Sequence, residues 1–277
     1  MFRKKFIAQP GSRIDVLHSI YRTVGDLKMF RHMGIRDLIS SLVLPKETPL
    51  SSGRSYYDFF SWLCNEEVKR CEKNNLRLHP VIGIPPAHSI KSKVLDEALL
   101  FLDEFLSDKK AIGVGEIGMG RGTKEEYMAF KRQLSVAHKY DLPVIVRAPK
   151  VDKVALTSII LKELKKAKIE RAIIDHCDKE TLQLVIRDHN DDIKVGLTVG
   201  QQAISPEEAL QIFQSYSYEN RIVIDSGLGI YDSSIFGVSN TIELFADKVN
   251  EESLQKMIYD NYVEVFPGLS SRIKTTF

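Results

Sequence analysis

The stretch Ala111-Ile-Gly-Val-Gly-Glu-Ile-Gly-Met119 places one carboxylate, Glu116, inside an apolar and glycine-rich run. A short apolar run of this kind is typical of a strand buried in a parallel sheet. A charge is rarely left in such a setting unless a cation or a hydrogen-bonded base offsets its desolvation. The neighbouring glycines leave room for another group to approach the backbone. The run therefore predicts a buried strand that carries a functional glutamate.

Around this strand, short apolar runs alternate with longer amphipathic segments eight times, which is the pattern of βα units around a parallel sheet. Eight such units in 277 residues, with no low-complexity linker, predict one domain over residues 1–277, an α/β fold of the (β/α)8 TIM-barrel class. An open doubly wound sheet is the alternative, but no G-x-G-x-x-G follows the first strand. The predicted strands are residues 13–19, 37–44, 77–84, 111–119, 143–148, 171–177, 193–199 and 221–229.

Several helices also carry local signals. Thr123 with Glu126 forms a capping-box pattern at the start of a helix predicted over residues 124–140. Ser205-Pro-Glu-Glu208 combines a cap residue, a first-turn proline and acids that suit the helix dipole. An apolar stripe over residues 56–74 predicts the second helix of the chain, and a helix over residues 251–265 is expected to close the bottom of the barrel.

Composition narrows the function classes. The chain has 39 basic and 37 acidic residues, so a formal charge of +2 gives no global case for binding nucleic acid or a membrane. Three cysteines cannot build a disulfide framework, and no export signal opens the chain, which predicts a cytoplasmic protein. No run approaches the ~18 apolar residues of a membrane-spanning helix. An anionic ligand would have to be attracted locally.

In a (β/α)8 barrel the reactive groups lie at the carboxyl ends of the strands. Five polar residues occupy such positions in the predicted strands. Two imidazoles, two carboxylates and a guanidinium there are suited to a divalent cation and an anionic substrate. The residues are His18, Glu116, Arg147, His176 and Asp225.

These residues and their flanks resemble the TatD-related metal-dependent hydrolases of the amidohydrolase superfamily, which are (β/α)8 barrels. The resemblance spans almost the whole chain, and its most specific element is Gly113-Val-Gly-Glu-Ile-Gly118. The other matching elements are Leu142-Pro-Val-Ile-Val146, Asp175-His-Cys177, Val195-Gly-Leu-Thr-Val199, and Asn261 with Phe266.

The resemblance implies a pair of divalent ions held by an H-x-H, a glutamate, two histidines and an aspartate at successive strand ends. Four positions depart from that pattern. Val16 stands at the first histidine of the H-x-H, Pro85 at the histidine of G-x-H-P, Arg147 at the strand-five histidine, and Gly227 at the catalytic aspartate. The matches that remain are His18, Glu116 and His176, with Asp225 two positions before the expected carboxylate.

The reduced set of metal ligands predicts one zinc, manganese or magnesium ion on His18, Glu116 and His176. Asp225 would act as base or orient the attacking water, and Arg147 would stabilise the developing anion. The expected substrate is a phosphodiester, including nucleic acid as substrate, or a small amide or ester. The alternative is a metal-free pseudoenzyme of the same fold that binds a small anion or a protein partner.

Two local alternatives accompany this prediction. Glu116 and Arg147 could form an internal salt bridge, since one good partner is enough for a buried carboxylate. Asp225 could instead accept hydrogen bonds from neighbouring backbone amides. Asp175 is expected to be a packing or hydrogen-bonding residue. The oligomeric state does not follow from the sequence.

Overall fold

A computed structural model describes residues 13–17, 23–41, 50, 52–88, 92–187, 192–200, 203–229 and 234–269. Its eight parallel strands follow one another around a single sheet in sequence order, which confirms the predicted (β/α)8 architecture. Each lies within one of the predicted ranges. The strands are β1 Ile14–Leu17, β2 Asp37–Ser41, β3 Arg77–Ile82, β4 Gly113–Gly118, β5 Val144–Arg147, β6 Ala172–Asp175, β7 Ile193–Thr198 and β8 Ile222–Asp225.

Helices separate the strands. They are α1 Val24–His32, α2 Arg54–Ser61, α3 Val68–Glu72, α4 Ser92–Ser107, α5 Lys124–Lys139, α6 Lys153–Lys166, α7 Lys179–Arg187, α8 Pro206–Tyr216, α9 Gly237–Phe245, α10 Glu251–Gln255 and α11 Asn261–Val265. The predicted capping boxes are present at α5, from Thr123 and Glu126, and at α8, from Ser205 and Glu208. None of the helices described is long and apolar enough to span a membrane.

Two of the predicted helices contain an irregular turn. The helix predicted over residues 56–74 is split by the π-helical turn Trp62–Glu67, which joins α2 to α3. The terminal helix is split in the same way by Lys256–Asp260 between α10 and α11. The apolar stripe continues through the π-helical turn Trp62–Glu67, where Leu63 is buried. Both α2 and α3 therefore still pack on the barrel.

The barrel is nearly closed, and a side-chain contact bridges its first and last strands. The carboxylate of Asp15 on β1 accepts hydrogen bonds from the backbone amide and the hydroxyl of Ser226, just after β8, both at 2.8 Å. Asp15 and Ser226 are buried, so these bonds replace water at the seam.

The amino-terminal end of the barrel is filled and covered. Residues from β2, β3, β5, β6 and β8 form an apolar layer with Tyr262 and Phe266 of the terminal helix. Asn261 donates to the backbone carbonyls of Glu219 and Ile222, both at 2.7 Å, which fixes that helix below β8. The predicted closure of the bottom is confirmed, and the strands' carboxyl ends point the other way.

A buried ion pair lies nearer that closed end. Asp37 at the start of β2 accepts two hydrogen bonds from the guanidinium of Arg77, at 2.7 and 2.6 Å, and its Oδ1 lies 2.8 Å from Nε2 of His79. Burial alone would raise the pKa of Asp37, but the bonds from Arg77 and His79 outweigh it and hold this pKa below its usual value. The pair ties β2 to β3.

Candidate metal centre

Glu116 faces the barrel interior because β4 is irregular at this point. Val114 of β4 pairs with Val144 of β5, yet Ile117 pairs with Val146, so β4 has one extra residue between the two pairs. A bulge of this kind re-aims side chains. A Cβ on Gly115 would lie 2.8 Å from the carbonyl oxygen of Ile145, which explains why glycine precedes the glutamate.

Arg147, the last residue of β5, pairs with that glutamate. Its Nη1 donates to Oε1 of Glu116 at 3.1 Å, with the glutamate side chain 2% and the arginine side chain 27% exposed. The internal salt bridge considered from the sequence is therefore present. The guanidinium remains partly accessible, so it can also meet a ligand that enters from the mouth.

Asp175 and His176 both turn towards the same place, although they are consecutive. Strand residues normally alternate between the two faces of a sheet. Asp175 is the last residue of β6, and His176 follows it with a left-handed backbone at φ +57°. This turn ends the alternation, and Nε2 of His176 lies 3.9 Å from Oδ2 of Asp175.

Glu116, Asp175 and His176 form a three-residue cluster of possible metal ligands. One ligand atom from each lies within 4.8 Å of the others. Two donors on one zinc-like ion lie at most about 4.2 Å apart, given bonds of about 2.1 Å. To share one ion, the three atoms would have to move closer together, with the side chains of Glu116 and His176 turning towards Asp175. Two carboxylates and one imidazole also match the ligand chemistry of zinc and manganese.

Asp225 is fully buried at the end of β8, in register with Thr198 of β7. It is not one of the residues in that three-residue cluster. Its charge still reaches the floor of the site, where burial first, and then Asp225, Asp15 and Asp175, raise the pKa of the Tyr262 hydroxyl. Asp225 thus belongs to a layer of carboxylates just below the mouth.

The predicted site residues are placed as follows. Glu116 and His176 come together as expected, with Arg147 in contact with Glu116. His18 lies outside the residues that the structure describes, so its ligand role stays a prediction. Asp175 was missed as a possible ligand. Its position beside His176 at a strand end was the available signal.

Cys177, which follows His176, is a buried cysteine beside the cluster. Burial, only partly opposed by a hydrogen bond with Thr181, raises the pKa of the Cys177 thiol to about 12. A thiol of this kind stays protonated near neutral pH in the metal-free protein.

Known proteins resemble the chain in sequence and in fold. The family model described as TatD related DNase matches residues 32–223. An uncharacterized metal-dependent hydrolase of Methanocaldococcus jannaschii is 30% identical over 249 residues, which are 88% of this chain and 95% of that protein. The fold also matches solved structures that are less similar in sequence, among them the following two.

The first is a TatD-like protein from Archaeoglobus fulgidus, with a TM-score of 0.73, 24% identity, and coverage of 92% of this chain and 99% of that one. The second is a phosphotriesterase homology protein from Escherichia coli, solved with phosphate in its active site, with a TM-score of 0.66 and 12% identity. That match covers 94% of this chain and 100% of the other.

Proposed function

The chain belongs to the TatD-related DNase family of metal-dependent hydrolases, and from this premise we propose that it hydrolyses phosphodiesters with one divalent ion bound at the barrel mouth. The observation that carries the proposal is the convergence of Glu116, Asp175 and His176 within 4.8 Å at the ends of two strands. His18 is retained as a fourth candidate ligand on the family resemblance.

Each residue has a role that follows from its position. A divalent cation bound there would lower the pKa of a bound water to about 7 and polarise the bond to be cleaved. Glu116, Asp175 and His176 would hold the ion. Arg147, which is partly exposed beside them, would bind an anionic oxygen of the substrate and stabilise added negative charge. Asp225, deeper in the barrel, would orient the attacking water.

The charges favour one ion over two. The Arg147 guanidinium lies 3.1 Å from Glu116 at the position where the resemblance implies a ligand of the second ion, so a second cation there would be repelled at low dielectric. Arg147 also replaces a neutral imidazole that the resemblance implies as a ligand.

A phosphodiester suits this pocket better than a neutral amide or ester, because guanidinium groups bind phosphate in a planar, two-pronged geometry. The phosphate in the active site of the Escherichia coli structural neighbour supports the same substrate class. The family description supports nucleic acid as one such substrate. A small amide or ester remains the second substrate class.

The alternative function is a metal-free barrel that binds a small anion or a protein partner. The contact of 3.1 Å between Arg147 and Glu116 favours it, since Glu116 already has a cationic partner. The two functions differ in what Glu116 is needed for. Metal binding needs its oxygens as ligands, whereas the metal-free protein needs its charge only to match Arg147.

The first experiment measures metal in the untagged protein by mass spectrometry, after growth with zinc, manganese and magnesium available. Hydrolysis of bis(p-nitrophenyl) phosphate, a single-stranded oligonucleotide and p-nitrophenyl acetate is measured on the same sample. Glu116→Gln is expected to lose the ion and the phosphodiesterase activity together.

Glu67→Gln is the matched control. Glu67 is 1% exposed and pairs at 2.6 Å with Arg70, which is 25% exposed, so its burial and pairing resemble those of Glu116. It should lose stability but keep the ion and the activity. A wild-type protein without bound ion, even after incubation with excess zinc or manganese, would refute the proposed hydrolase in favour of the metal-free alternative.

A further inference from the structure

We propose that Thr198 on β7 is a positioning residue that sets which oxygen of Asp175 is presented to the metal, and that Gly196 clears the space this requires. The inference rests on the proposed metal site and concerns two residues to which the family resemblance assigns no role. Gly196 and Thr198 lie two positions apart on one strand and so share one face, and both approach the side chain of Asp175.

The hydroxyl of Thr198 links the proposed ligands Asp175 and His176. It donates to Oδ1 of Asp175 at 2.7 Å and accepts a hydrogen bond from the backbone amide of His176 at 3.2 Å. A hydroxyl has one proton and two lone pairs, so it can make both bonds at once. Thr198 is 3% exposed, and both bonds are therefore shielded from water.

These bonds commit one oxygen of Asp175 to the protein. Oδ1 accepts from Thr198 at 2.7 Å and from the backbone amide of His176 at 2.8 Å. Two donors on one oxygen fix the rotation of the carboxylate, which leaves Oδ2 on the side of the His176 ring, 3.9 Å from Nε2. Oδ2 is thus the oxygen presented with His176 to an ion. Partners that orient metal ligands in this way typically affect metal affinity by ~10–100-fold.

Gly196 is required by the same arrangement. It lies opposite Asp175, since Ile174 of β6 pairs with Val195 of β7. A Cβ at Gly196 would lie 2.5 Å from Oδ1 of Asp175 and 2.9 Å from its Cα. Any larger residue would push the aspartate out of the position in which Thr198 holds it.

The test compares Thr198→Val, which keeps the shape but removes the hydroxyl, with Thr198→Ser, which keeps the hydroxyl. Apo protein is prepared with a chelator, and the affinities for Zn²⁺ and for Mn²⁺ are measured separately by titration calorimetry. Thr198→Val should weaken binding by ~10–100-fold, and Thr198→Ser should stay within about 3-fold of the wild type. Thr198→Ala repeats the test if the valine variant does not fold.

Thr241→Val serves as the control for a structural effect. Thr241 is also fully buried, and its hydroxyl donates to the carbonyl of Gly237 at 2.9 Å, a bond that stays within α9. It should lower the melting temperature without changing metal affinity. If Thr198→Val behaves like Thr241→Val, the positioning role is overturned while the metal site stands. If the wild-type protein binds neither ion, the metal site itself is overturned, and the positioning role with it.

Discussion

Gly196→Ala is the smallest change that should disturb the site, and its effect can be worked out from the distances. The added methyl would lie 2.5 Å from Oδ1 of Asp175, about 0.9 Å inside an ordinary contact of about 3.4 Å. The carboxylate cannot simply rotate away, since Oδ1 is held by Thr198 and by the His176 amide. Overpacking of this kind costs about 1–3 kcal/mol.

The expected effects are a lower stability and a weaker metal site. A loss of about 2 kcal/mol lowers the melting temperature of a chain of this size by roughly 3–4 °C. Differential scanning calorimetry of the apo protein measures this shift, and titration with Mn²⁺ or Zn²⁺ measures the affinity. Movement of Asp175 by about 1 Å should reduce metal affinity by about 10-fold or more.

Gly25→Ala is the control for glycine-to-alanine changes in general. Gly25 is in α1, is exposed, and its added Cβ would come no closer than 3.5 Å to the hydroxyl oxygen of Thr23. Alanine is the better helix former there, so stability should be equal or higher by up to about 1 kcal/mol. A Gly196→Ala protein with wild-type melting temperature and metal affinity would refute the reasoning about how Asp175 is held.

Three further predictions concern residues outside the cluster. Asp37→Asn should cost about 3 kcal/mol at neutral pH, because it leaves Arg77 without its buried partner. Since the folded pKa of Asp37 is depressed, its contribution is present above the unfolded value of about 4 and is lost as pH falls through the folded pKa. Urea unfolding from pH 2 to 7 should therefore show a gap between wild type and variant that narrows in acid; a constant gap would contradict this. Ser226→Ala should destabilise the fold by about 1–3 kcal/mol in the same assay, since Asp15 loses a buried donor across the β1–β8 seam, and an unchanged stability would argue against that seam. Cys177, whose thiol has a pKa raised to about 12, should resist a disulfide reagent at pH 8 until the protein is unfolded, and fast labelling of the native protein would show that the thiol is accessible.

The strands were predictable from the sequence because each is a short apolar run of its own. Buried parallel strands such as β6, with Ala172-Ile-Ile-Asp175, carry that signal regardless of their neighbours. For β4 the predicted range 111–119 extended beyond the structural ends, because the flanking Ala111, Ile112 and Met119 are also apolar. The π-helical turns were not predictable, since the apolar stripe of a helix changes little when one turn accommodates an extra residue.

The site was only partly predictable, and Asp175 shows the reason. Alternation along a strand assigns neighbouring residues to opposite faces, so either Asp175 or His176 could be placed inside the mouth, but not both. The left-handed backbone of His176 removes that conflict. Nothing in the residue type requires this conformation at His176, although histidine tolerates it better than most. The pairing of Asp175 with Gly196 likewise depends on register between two strands, which a single sequence does not encode directly.

Arg147 would couple ion binding to anion binding, because Arg147 and the proposed ion both bind Glu116. In the structure the guanidinium donates to Glu116 at 3.1 Å. An ion that takes the oxygens of Glu116 as ligands would release Arg147 to meet an anionic substrate. An anion that draws Arg147 away would equally free Glu116 for the ion. Ion and anion then raise each other's affinity by the same factor, as thermodynamic linkage requires. The replacement of an imidazole by Arg147 would thus couple metal binding to substrate binding, so that each strengthens the other, rather than abolish either.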